Sequence, residues 1–442
     1  MQPQTMTEER REKFIVRGGK PLYGTVAISG MKNAALPILF ACALNKETCT
    51  LHNVPAVKDI ETTLAILSAM GVTVRYLSPT TIELNGAHFA ACTSPGELVR
   101  KIRASSYLMG VELGRTGKTS IVYPGGCDFQ GGRPLDLHCG GVEAMGAEMT
   151  PTATGYVGAA PDGLSPAKIT LRDVSVGATV NLILAATLTP GHTVIANAAK
   201  EPHIVALAKF LNECGARISN AGTSTIQIDG VPELHGCSFR ILPDMIEAGT
   251  YMALAAGTGG SITLTNVYTE HMEATVDALR NMGAEVIVNA TEETITVNGT
   301  GQLKAIRLKT SPYPGFPTDM QPQLAALMTT ARGISEIEEN VMNGRFGYLD
   351  EFKKMGVCTI AGQKENTVCI IGIQSLAPAK MRATDLRAGA AMVIAALMTE
   401  GVSEISNIRL IDRGYDDFVG KLTALGADIA RVEVVQTAPA QP

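Results

Sequence analysis

One type of helix ending recurs six times along this chain, at intervals close to seventy residues. In each copy, a segment with the apolar spacing of an amphipathic helix stops at a glycine, and an alternating apolar stretch follows. A glycine at such a point is typical of a left-handed helix C-cap. The six glycines are 75, 69, 68, 73 and 70 residues apart and are Gly71, Gly146, Gly215, Gly283, Gly356 and Gly426. The pattern predicts six copies of one α/β unit.

A second feature keeps the same period. Short strands that follow a glycine turn are predicted to begin at Gly191, Gly260, Gly333 and Gly401, which are 69, 73 and 68 residues apart. Two independent features with one period argue against coincidental helix ends. The period exceeds that of common solenoid repeats, and each unit contains both helix and strand, so we expect closed domains. We predict three units per domain, with the break at residues 243–244.

Composition and charge exclude several classes of protein. With 45% hydrophobic and 18% charged residues, the 442-residue chain should form packed globular domains. The net charge of −5 gives no basic surplus for binding nucleic acid. The longest apolar runs reach about eleven residues, too few to span a bilayer. Because the first thirteen residues have no apolar core, we expect no signal peptide and a cytoplasmic location.

Cysteine and histidine usage gives no sign of a metal or a cofactor. The nine cysteines are scattered without paired spacing, which favours reduced thiols over a disulfide framework. The seven histidines are dispersed, and neither a nucleotide P-loop nor a dinucleotide fingerprint is present. We therefore expect no metal ion and no cofactor.

Two polar clusters near the start of the chain are candidates for chemistry. Residues 29–37 are predicted to be a strand end that turns into a helix start, where free amides and the helix dipole favour an anion bound by Lys32. The alternative is a solvated lysine at a turn. Residues 123–138 hold four glycines within eight positions around Cys127, which predicts a mobile loop able to carry a thiol to a substrate. The alternative is a buried structural cysteine.

Two further clusters lie in the second half of the chain. In residues 311–322, three prolines lead to Asp319, which either caps a helix that begins near Met320 or serves as a base. Residues 383–388 and 411–415 place arginines ahead of an apolar helix and beside a glycine turn, an arrangement suited to binding anions. The candidate cations Lys32, Arg103, Arg345, Arg387 and Arg413 predict a strongly cationic pocket for a multiply anionic substrate.

Nine ordered segments carry a family resemblance: residues 30–36, 103–105, 124–127, 133–138, 175–179, 242–247, 316–321, 385–387 and 412–415. On these segments the chain resembles the UDP-N-acetylglucosamine 1-carboxyvinyltransferases, from about residue 14 to about residue 434. The related 5-enolpyruvylshikimate-3-phosphate synthases share the six-unit architecture. They are not known for the cysteine loop or for the Arg-Pro-x-Asp-Leu segment at 133–137.

The resemblance implies a fold and a reaction. The fold is a two-domain inside-out α/β barrel with three units per domain and the site in the cleft between the domains. One domain would comprise residues 1–31 plus 243–442, and the other, residues 32–242, would carry the Cys127 loop. The reaction moves the enolpyruvyl group of phosphoenolpyruvate to the 3-hydroxyl of UDP-N-acetylglucosamine by addition and elimination, with release of phosphate. This is the first committed step of peptidoglycan synthesis, and the partners are the two small-molecule substrates alone.

The resemblance also assigns roles to residues. Cys127 corresponds to the family's loop cysteine, assigned to protonation and to capture of phosphoenolpyruvate, and Asp319 to the aspartate proposed as base on the acceptor hydroxyl. The implied catalytic residues are Lys32, Cys127, Asp319, Asp385 and Arg413. The implied substrate-binding residues are Asn33, Arg103, Arg133, Pro134, Leu135, Asp136, Leu137, Asp173, Ser175, Val176, Gly177, Val341, Arg345 and Arg387.

Three departures from the family pattern keep alternatives open. Arg133 follows Cys127 by six positions, where the family usually leaves five, and Asp128 could be the acid in place of Cys127. Residues 342–345 read Met-Asn-Gly-Arg where Phe-Glu-Asn-Arg is common, and Asp173 stands where some members have lysine. The acceptor could therefore be another uridine nucleotide such as UMP. A non-catalytic ligand-binding relative is a third hypothesis, disfavoured by the retained acidic and basic residues.

Overall fold

The computed structural model describes residues 12–125 and 135–434, which form a mixed α/β structure. The strands of this part of the chain are β1 (Glu12–Gly18), β2 (Tyr23–Ala27), β3 (Thr48–His52), β4 (Thr73–Ser78), β5 (Thr81–Asn85), β6 (Lys118–Val122), β7 (Glu148–Pro151), β8 (Gly155–Ala159), β9 (Lys168–Thr170), β10 (Gly191–Ala196), β11 (Arg217–Ser219), β12 (Thr225–Gly230), β13 (Ser238–Arg240), β14 (Ser261–Thr265), β15 (Glu285–Asn289), β16 (Thr294–Asn298), β17 (Arg307–Lys309), β18 (Ile334–Glu338), β19 (Cys358–Ala361), β20 (Thr367–Ile371), β21 (Lys380–Arg382), β22 (Gly401–Ser406) and β23 (Asp428–Glu433).

The α-helices are α1 (Lys32–Ala41), α2 (Lys58–Ala69), α3 (Gly96–Val99), α4 (Leu108–Thr116), α5 (Asp136–Ala144), α6 (Val176–Thr187), α7 (Pro202–Glu213), α8 (Met245–Thr258), α9 (Glu273–Asn281), α10 (Gln321–Met328), α11 (Leu349–Lys353), α12 (Leu386–Met398) and α13 (Phe418–Ala424). Short 3-10 helices cover Cys42–Leu44, Arg103–Tyr107, Thr269–His271, Thr318–Met320 and Ile408–Arg413. Within the described ranges, no helix is long and apolar enough to cross a membrane.

The elements follow one repeated order of helix, strand, helix, strand, strand, except that the last unit takes one of its strands, β1, from the start of the chain. The units start at α1, α4, α6, α8, α10 and α12, and their second helices are α2, α5, α7, α9, α11 and α13. The strands form six small sheets, with the orders β13-β3-β5-β4, β6-β8-β7, β11-β12-β10-β9, β15-β16-β14-β2, β17-β18-β20-β19 and β21-β22-β1-β23. The α/β class predicted from the sequence is confirmed.

The glycines that define the repeat adopt the predicted backbone conformation. The six glycines that follow the second helices have φ angles of 90°, 93°, 96°, 98°, 92° and 91°, a region in which a side chain is strained. Three of the four glycines that precede strands, Gly191, Gly333 and Gly401, are also left-handed. At the fourth position, Gly260, a side chain has no room, because a Cβ there would lie 1.9 Å from the Leu22 carbonyl oxygen.

Buried apolar side chains form two separate clusters. One contains residues from Met31 to Leu242, and we call this part of the structure the central lobe. The other contains Phe14 to Ile28 together with Ile246 to Ile429, and we call it the flanking lobe. The first helix of each unit lies in these clusters; every residue from Leu386 to Leu397 in α12, for example, is buried. The first helices therefore contribute to the apolar core of each lobe.

The chain crosses between the lobes twice, and the two crossings lie side by side. Gly30 forms an isolated antiparallel bridge with Pro243. The Met31 amide donates to the Leu242 carbonyl at 2.7 Å, and the Asp244 amide donates to the Ser29 carbonyl at 2.9 Å. As a result, helices α1 and α8 begin at neighbouring points on the boundary between the lobes.

A buried carboxylate beside the crossings should make stability depend on pH. Glu247 accepts hydrogen bonds from the Ser29 amide at 2.8 Å and from Lys421 Nζ at 2.5 Å. Burial raises its pKa from 4.5 to about 7, although Lys421 acts in the opposite direction. The folded protein then binds more protons than the unfolded chain between these pKa values, so the free energy of unfolding should fall as the pH rises through this interval.

We expect this loss to be about 3 kcal/mol between roughly pH 4.5 and 7. Urea unfolding of the parent and of Glu247→Gln across this range measures it. The difference in unfolding free energy, parent minus variant, should fall as the pH rises because glutamine does not titrate. Parallel pH profiles for the two proteins would contradict the prediction.

Candidate active site

A cavity of about 490 Å³ lies between the two lobes. The central lobe contributes the start of α1, the segment around Arg103, the start of α6 and residues 201–203. The flanking lobe contributes residues 311–313 and 317–319, together with Arg345, the start of α12 and Arg413. Both halves of the chain therefore supply charged side chains to one space.

Asp59 joins basic residues from the two lobes. Lys32, the first residue of α1, contacts the Asp59 carboxylate at 3.0 Å, and Arg413 Nε contacts its other oxygen at 2.9 Å. Asp59 and Lys32 are buried. Burial alone would raise the pKa of Asp59, but the charges of Lys32 and Arg413 lower it below its ordinary value. A carboxylate thus occupies the anion position that the sequence predicted for Lys32.

Asp319 forms a second group with two arginines of its own lobe. Its two oxygens contact Arg345 Nη1 at 2.8 Å and Arg387 Nε at 3.2 Å. Burial would raise the pKa of Asp319, yet the two guanidinium charges lower it well below the usual range. At neutral pH the Asp319 side chain is therefore an ionised carboxylate held in a fixed position. Next to this group, Asp385 caps α12 by accepting from the amides of Arg387 and Ala388 at 2.8 and 3.0 Å.

Arg387 is a buried arginine that lines the cavity. The residue is 1% exposed, and its guanidinium lies 5.3 Å from the centre of the Tyr415 ring. Its Nη1 atom is buried and has no hydrogen-bond partner among the described residues. A buried donor of this kind is costly unless a ligand pairs with it. Arg387 is therefore well suited to hold an anionic group of a substrate.

The buried carboxylate of Glu339 organises the loop that carries Arg345. Its oxygens accept from the hydroxyls of Thr310 and Thr318 at 2.8 and 3.0 Å, and from the amides of Val341 and Met342 at 2.9 and 2.8 Å. Thr318 in turn accepts from Arg345 Nη1 at 3.0 Å. The sequence analysis did not identify Glu339, because its role depends on four contacts made through the fold.

A neutral histidine lies against the start of α6. His138 is buried, and burial together with the nearby charge of Arg103 lowers its pKa to about 3. Its Nδ1 lies 2.7 Å from Asn181 Nδ2, while Asn181 Oδ1 accepts from the Gly110 amide at 2.7 Å. These contacts orient the asparagine as donor, so the histidine proton resides on Nε2. The ring then presents an N–H toward Gly177.

The close approach of the His138 ring leaves no room for a side chain at position 177, so replacing Gly177 should destabilise the protein. A Cβ at Gly177 would lie 2.8 Å from His138 Cε1 and 2.9 Å from Nε2, and Asn181 prevents the ring from moving away. We expect Gly177→Ala to lower the free energy of unfolding by about 1–3 kcal/mol through overpacking. Urea unfolding provides the measurement.

Gly140→Ala in α5 is the matched control, because a Cβ there meets nothing within 4 Å. This change should raise the free energy of unfolding by about 0.5–1 kcal/mol through helix propensity. Equal effects of the two substitutions would show that the His138 contact has no energetic importance.

Glu201 and His203 also line the cavity, and the sequence analysis missed both. Burial raises the pKa of Glu201 above its ordinary value, and its Oε2 is buried without a partner among the described residues. Burial lowers the pKa of His203 to about 4, although Asp319 acts in the opposite direction. His203 is therefore neutral at physiological pH.

The charge of the cavity is more balanced than the sequence predicted. Five basic residues line it in the described part of the chain, and four acidic residues, Asp59, Glu201, Asp319 and Asp385, line it as well. Among the described residues, folding brings carboxylates to the arginines, so the lining is less strongly cationic than the arginines alone suggest. A multiply anionic ligand would compete with these carboxylates for the same cations.

Most of the predicted site residues line this cavity: Lys32, Asn33, Arg103, Ser175, Val176, Gly177, Asp319, Val341, Arg345, Asp385, Arg387 and Arg413. Leu135, Asp136, Leu137 and Asp173 do not line it. Asp136 and Asp173 instead contact Arg172, at 2.9 and 2.8 Å. Cys127, Asp128, Arg133 and Pro134 lie outside the described residues.

Comparison with known sequences finds full-length relatives. A sequence model of the family described as EPSP synthase (3-phosphoshikimate 1-carboxyvinyltransferase) matches residues 16–422. The UDP-N-acetylglucosamine 1-carboxyvinyltransferase of Finegoldia magna is 46% identical over 423 residues, covering 96% of this chain and 99% of that protein. The UDP-N-acetylglucosamine 1-carboxyvinyltransferase 3 of Caldanaerobacter subterraneus subsp. tengcongensis is 47% identical over 428 residues, covering 95% and 99%.

Solved structures of similar shape are also enolpyruvyl transferases or share their fold. The enolpyruvyl transferase NikO from Streptomyces tendae superimposes with a TM-score of 0.86 at 25% identity, covering 96% of this chain and 100% of that one. EPSP synthase from Acinetobacter baumannii gives a TM-score of 0.72 at 18% identity, covering 95% and 100%, and this match concerns the fold alone.

Proposed function

The chain belongs to the EPSP synthase family and, within it, to the UDP-N-acetylglucosamine 1-carboxyvinyltransferases, and from this we propose the reaction that it catalyses. It transfers the enolpyruvyl group of phosphoenolpyruvate to the 3-hydroxyl of UDP-N-acetylglucosamine and releases phosphate, the first committed step of peptidoglycan synthesis. The observation that carries this proposal is 46% identity to such an enzyme over 96% of the chain. A cavity lined by paired acids and bases supports it.

The reaction requires two proton movements and binding of two anions. The acceptor oxygen forms a bond to C2 of phosphoenolpyruvate while its proton leaves, and C3 gains a proton. The resulting tetrahedral intermediate then loses phosphate from C2 and a proton from C3, which restores the double bond. Fixed positive charges suit an intermediate that carries phosphate and carboxylate on one carbon. We assign this role to Lys32, Arg413 and Arg387, which lie in the cavity.

Asp319 is the base that we assign to the acceptor hydroxyl. In the structure its low pKa makes it a weak base, because Arg345 and Arg387 hold its charge. An anionic group of the substrate that binds the same arginines would weaken these ion pairs and raise the pKa of Asp319. The base strength of Asp319 would then increase only when the substrate is bound.

Cys127 or Asp128 is the group that we assign to protonation at C3, since both belong to the loop that bears the family's catalytic cysteine. Mass spectrometry with the epoxide antibiotic fosfomycin distinguishes them. If Cys127 is the acid, the antibiotic should add to this thiol when the nucleotide is present. An unchanged mass would assign the acid role to Asp128.

Phosphate release tests the reaction itself. The protein is incubated with phosphoenolpyruvate and UDP-N-acetylglucosamine, together and separately, and the phosphate formed is measured over time. Release should require both substrates and should fall to background in Lys32→Ala. If the parent protein released phosphate no faster than Lys32→Ala, the proposed function would be refuted.

A second acceptor is favoured by one observation, the six-position spacing from Cys127 to Arg133. A loop one residue longer could accommodate a uridine nucleotide of another shape, such as UMP. The same phosphate assay with UMP and with UDP-N-acetylglucosamine decides between the acceptors by kcat/KM.

The domain organisation that accompanies this function is a pair of inside-out α/β barrels. We assign residues 1–31 with 243–442 to one domain and residues 32–242 to the other. The two apolar clusters and the nearly complete burial of α6 and α12 support this division. Opening and closing of the cleft would follow from relative movement of the two domains about the paired crossings.

A further inference from the structure

Four of the nine cysteines meet at one place in the central lobe, although they come from distant points in the chain. Cys42 begins a 3-10 helix after α1, and Cys49 lies in β3. Cys214 is the C-cap residue of α7, and Cys237 immediately precedes β13. None of the four belongs to the cavity between the lobes. Their convergence is therefore separate from the proposed active site.

The sulfur atoms of three of them have the spacing of metal ligands. Cys49 Sγ lies 4.0 Å from Cys214 Sγ, and Cys214 Sγ lies 3.1 Å from Cys237 Sγ. All three sulfurs lie within 4.8 Å of one another. A tetrahedral zinc ion with Zn–S bonds of about 2.3 Å requires sulfur atoms about 3.8 Å apart. The two observed contacts bracket this distance, so small side-chain rotations would suffice to form such a site.

The surroundings favour a cation at this point. Cys214 lies at the C-terminal end of α7, where the helix dipole attracts positive charge. Asn45 Nδ2 donates to Cys49 Sγ at 3.4 Å, a contact of the kind that orients and supports a thiolate ligand. Cys49 and Cys214 are buried, whereas Cys237 is partly exposed and gives an ion access from solvent.

Cys42 is buried next to Cys49, close to this group of three sulfur atoms. Binding of a divalent cation displaces the thiol protons to solvent and leaves thiolates bonded to the metal, with no change in oxidation state.

We propose that Cys49, Cys214 and Cys237 bind one Zn²⁺ ion. Sulfur-rich tetrahedral sites select zinc among the available divalent cations. The ion would join β3, the end of α7 and the segment before β13, three elements far apart in the chain. Its role is structural, and it does not depend on the enolpyruvyl transfer proposed above.

Cobalt spectroscopy on the full-length, reduced, metal-free protein tests the site. Titration with Co²⁺ should produce thiolate-to-metal charge-transfer and visible bands of a tetrahedral ion, which saturate at one equivalent and which Zn²⁺ abolishes. Zn²⁺ should also raise the Tm by roughly 5 °C or more. The double variant Cys49→Ala/Cys214→Ala should lose both effects. Cys92→Ser and Cys358→Ser, at exposed positions, are the matched controls and should keep them.

The parent protein alone can overturn the proposal, so the result does not depend on the variants folding. Absence of tetrahedral bands at one equivalent of Co²⁺ would exclude the site. Bands that persist unchanged in the folded double variant would place the metal elsewhere. A Cys214–Cys237 disulfide, seen as a mass two hydrogens lower that reductant restores, would also refute it if metal still failed to bind after reduction.

Discussion

Asp319→Asn is expected to lower kcat for phosphate release by roughly 10²- to 10⁴-fold, the usual contribution of a general base. The carboxylate is the group that we assign to the acceptor hydroxyl, and asparagine keeps its shape but cannot accept the proton. The substitution also removes a charge that Arg345 and Arg387 share. Measuring kcat and the KM for phosphoenolpyruvate separately distinguishes the two roles.

A residue that only positions the arginines would change the KM for phosphoenolpyruvate more than kcat. Asp244→Asn is the matched control, because Asp244 is also buried at a helix start and caps α8, a position where asparagine serves nearly as well. Both variants should retain the circular dichroism spectrum of the parent. An Asp319→Asn variant with kcat within tenfold of the parent would exclude the base role.

Asp59→Asn is expected to lower the free energy of unfolding by about 3 kcal/mol, because it removes the carboxylate shared by the buried Lys32 and the partly buried Arg413. Lys32 and Arg413 approach this carboxylate from different lobes, so the loss should weaken the boundary between the lobes in particular. Urea unfolding monitored by fluorescence or circular dichroism measures the change.

Phosphoenolpyruvate should partly reverse this loss, since its phosphate can supply the missing charge to the same cations. We expect the ligand to raise the Tm of Asp59→Asn by more than that of the parent. Asp350→Asn removes an exposed partner of Lys353 and is the control, with an expected change within about 0.5 kcal/mol. Equal ligand-induced shifts in parent and Asp59→Asn would show that phosphate does not bind at this pair.

The repeat and many of the cationic residues could be predicted from the sequence for local reasons. A left-handed turn after a helix end favours glycine at that position, so the six glycines that follow helix ends are visible without any knowledge of the fold. Lys32, Asp319 and Arg387 lie at or next to helix starts within short polar segments, which also distinguishes them from their apolar surroundings.

Asp59, Glu201 and Glu339 could not be identified in this way. Each is one acidic residue near a helix or strand end, where capping or solvation explains it equally well. Asp59 becomes part of the site only because Arg413, 354 positions away, reaches it across the boundary between the lobes. The pairing of the cations with these carboxylates could not be predicted for the same reason, because the sequence shows which charges exist and not which of them become neighbours.

The sequence by itself determined the six units, the α/β class and the family, since these depend on backbone conformations and ordered motifs that are local in the chain. Only the tertiary structure decided which carboxylates pair with which cations and that Cys49 and Cys214, 165 positions apart, bring their sulfur atoms within 4.0 Å. Pairing energies and metal coordination act over a few ångströms in space. Side chains far apart in the chain come within that range only after both lobes have folded.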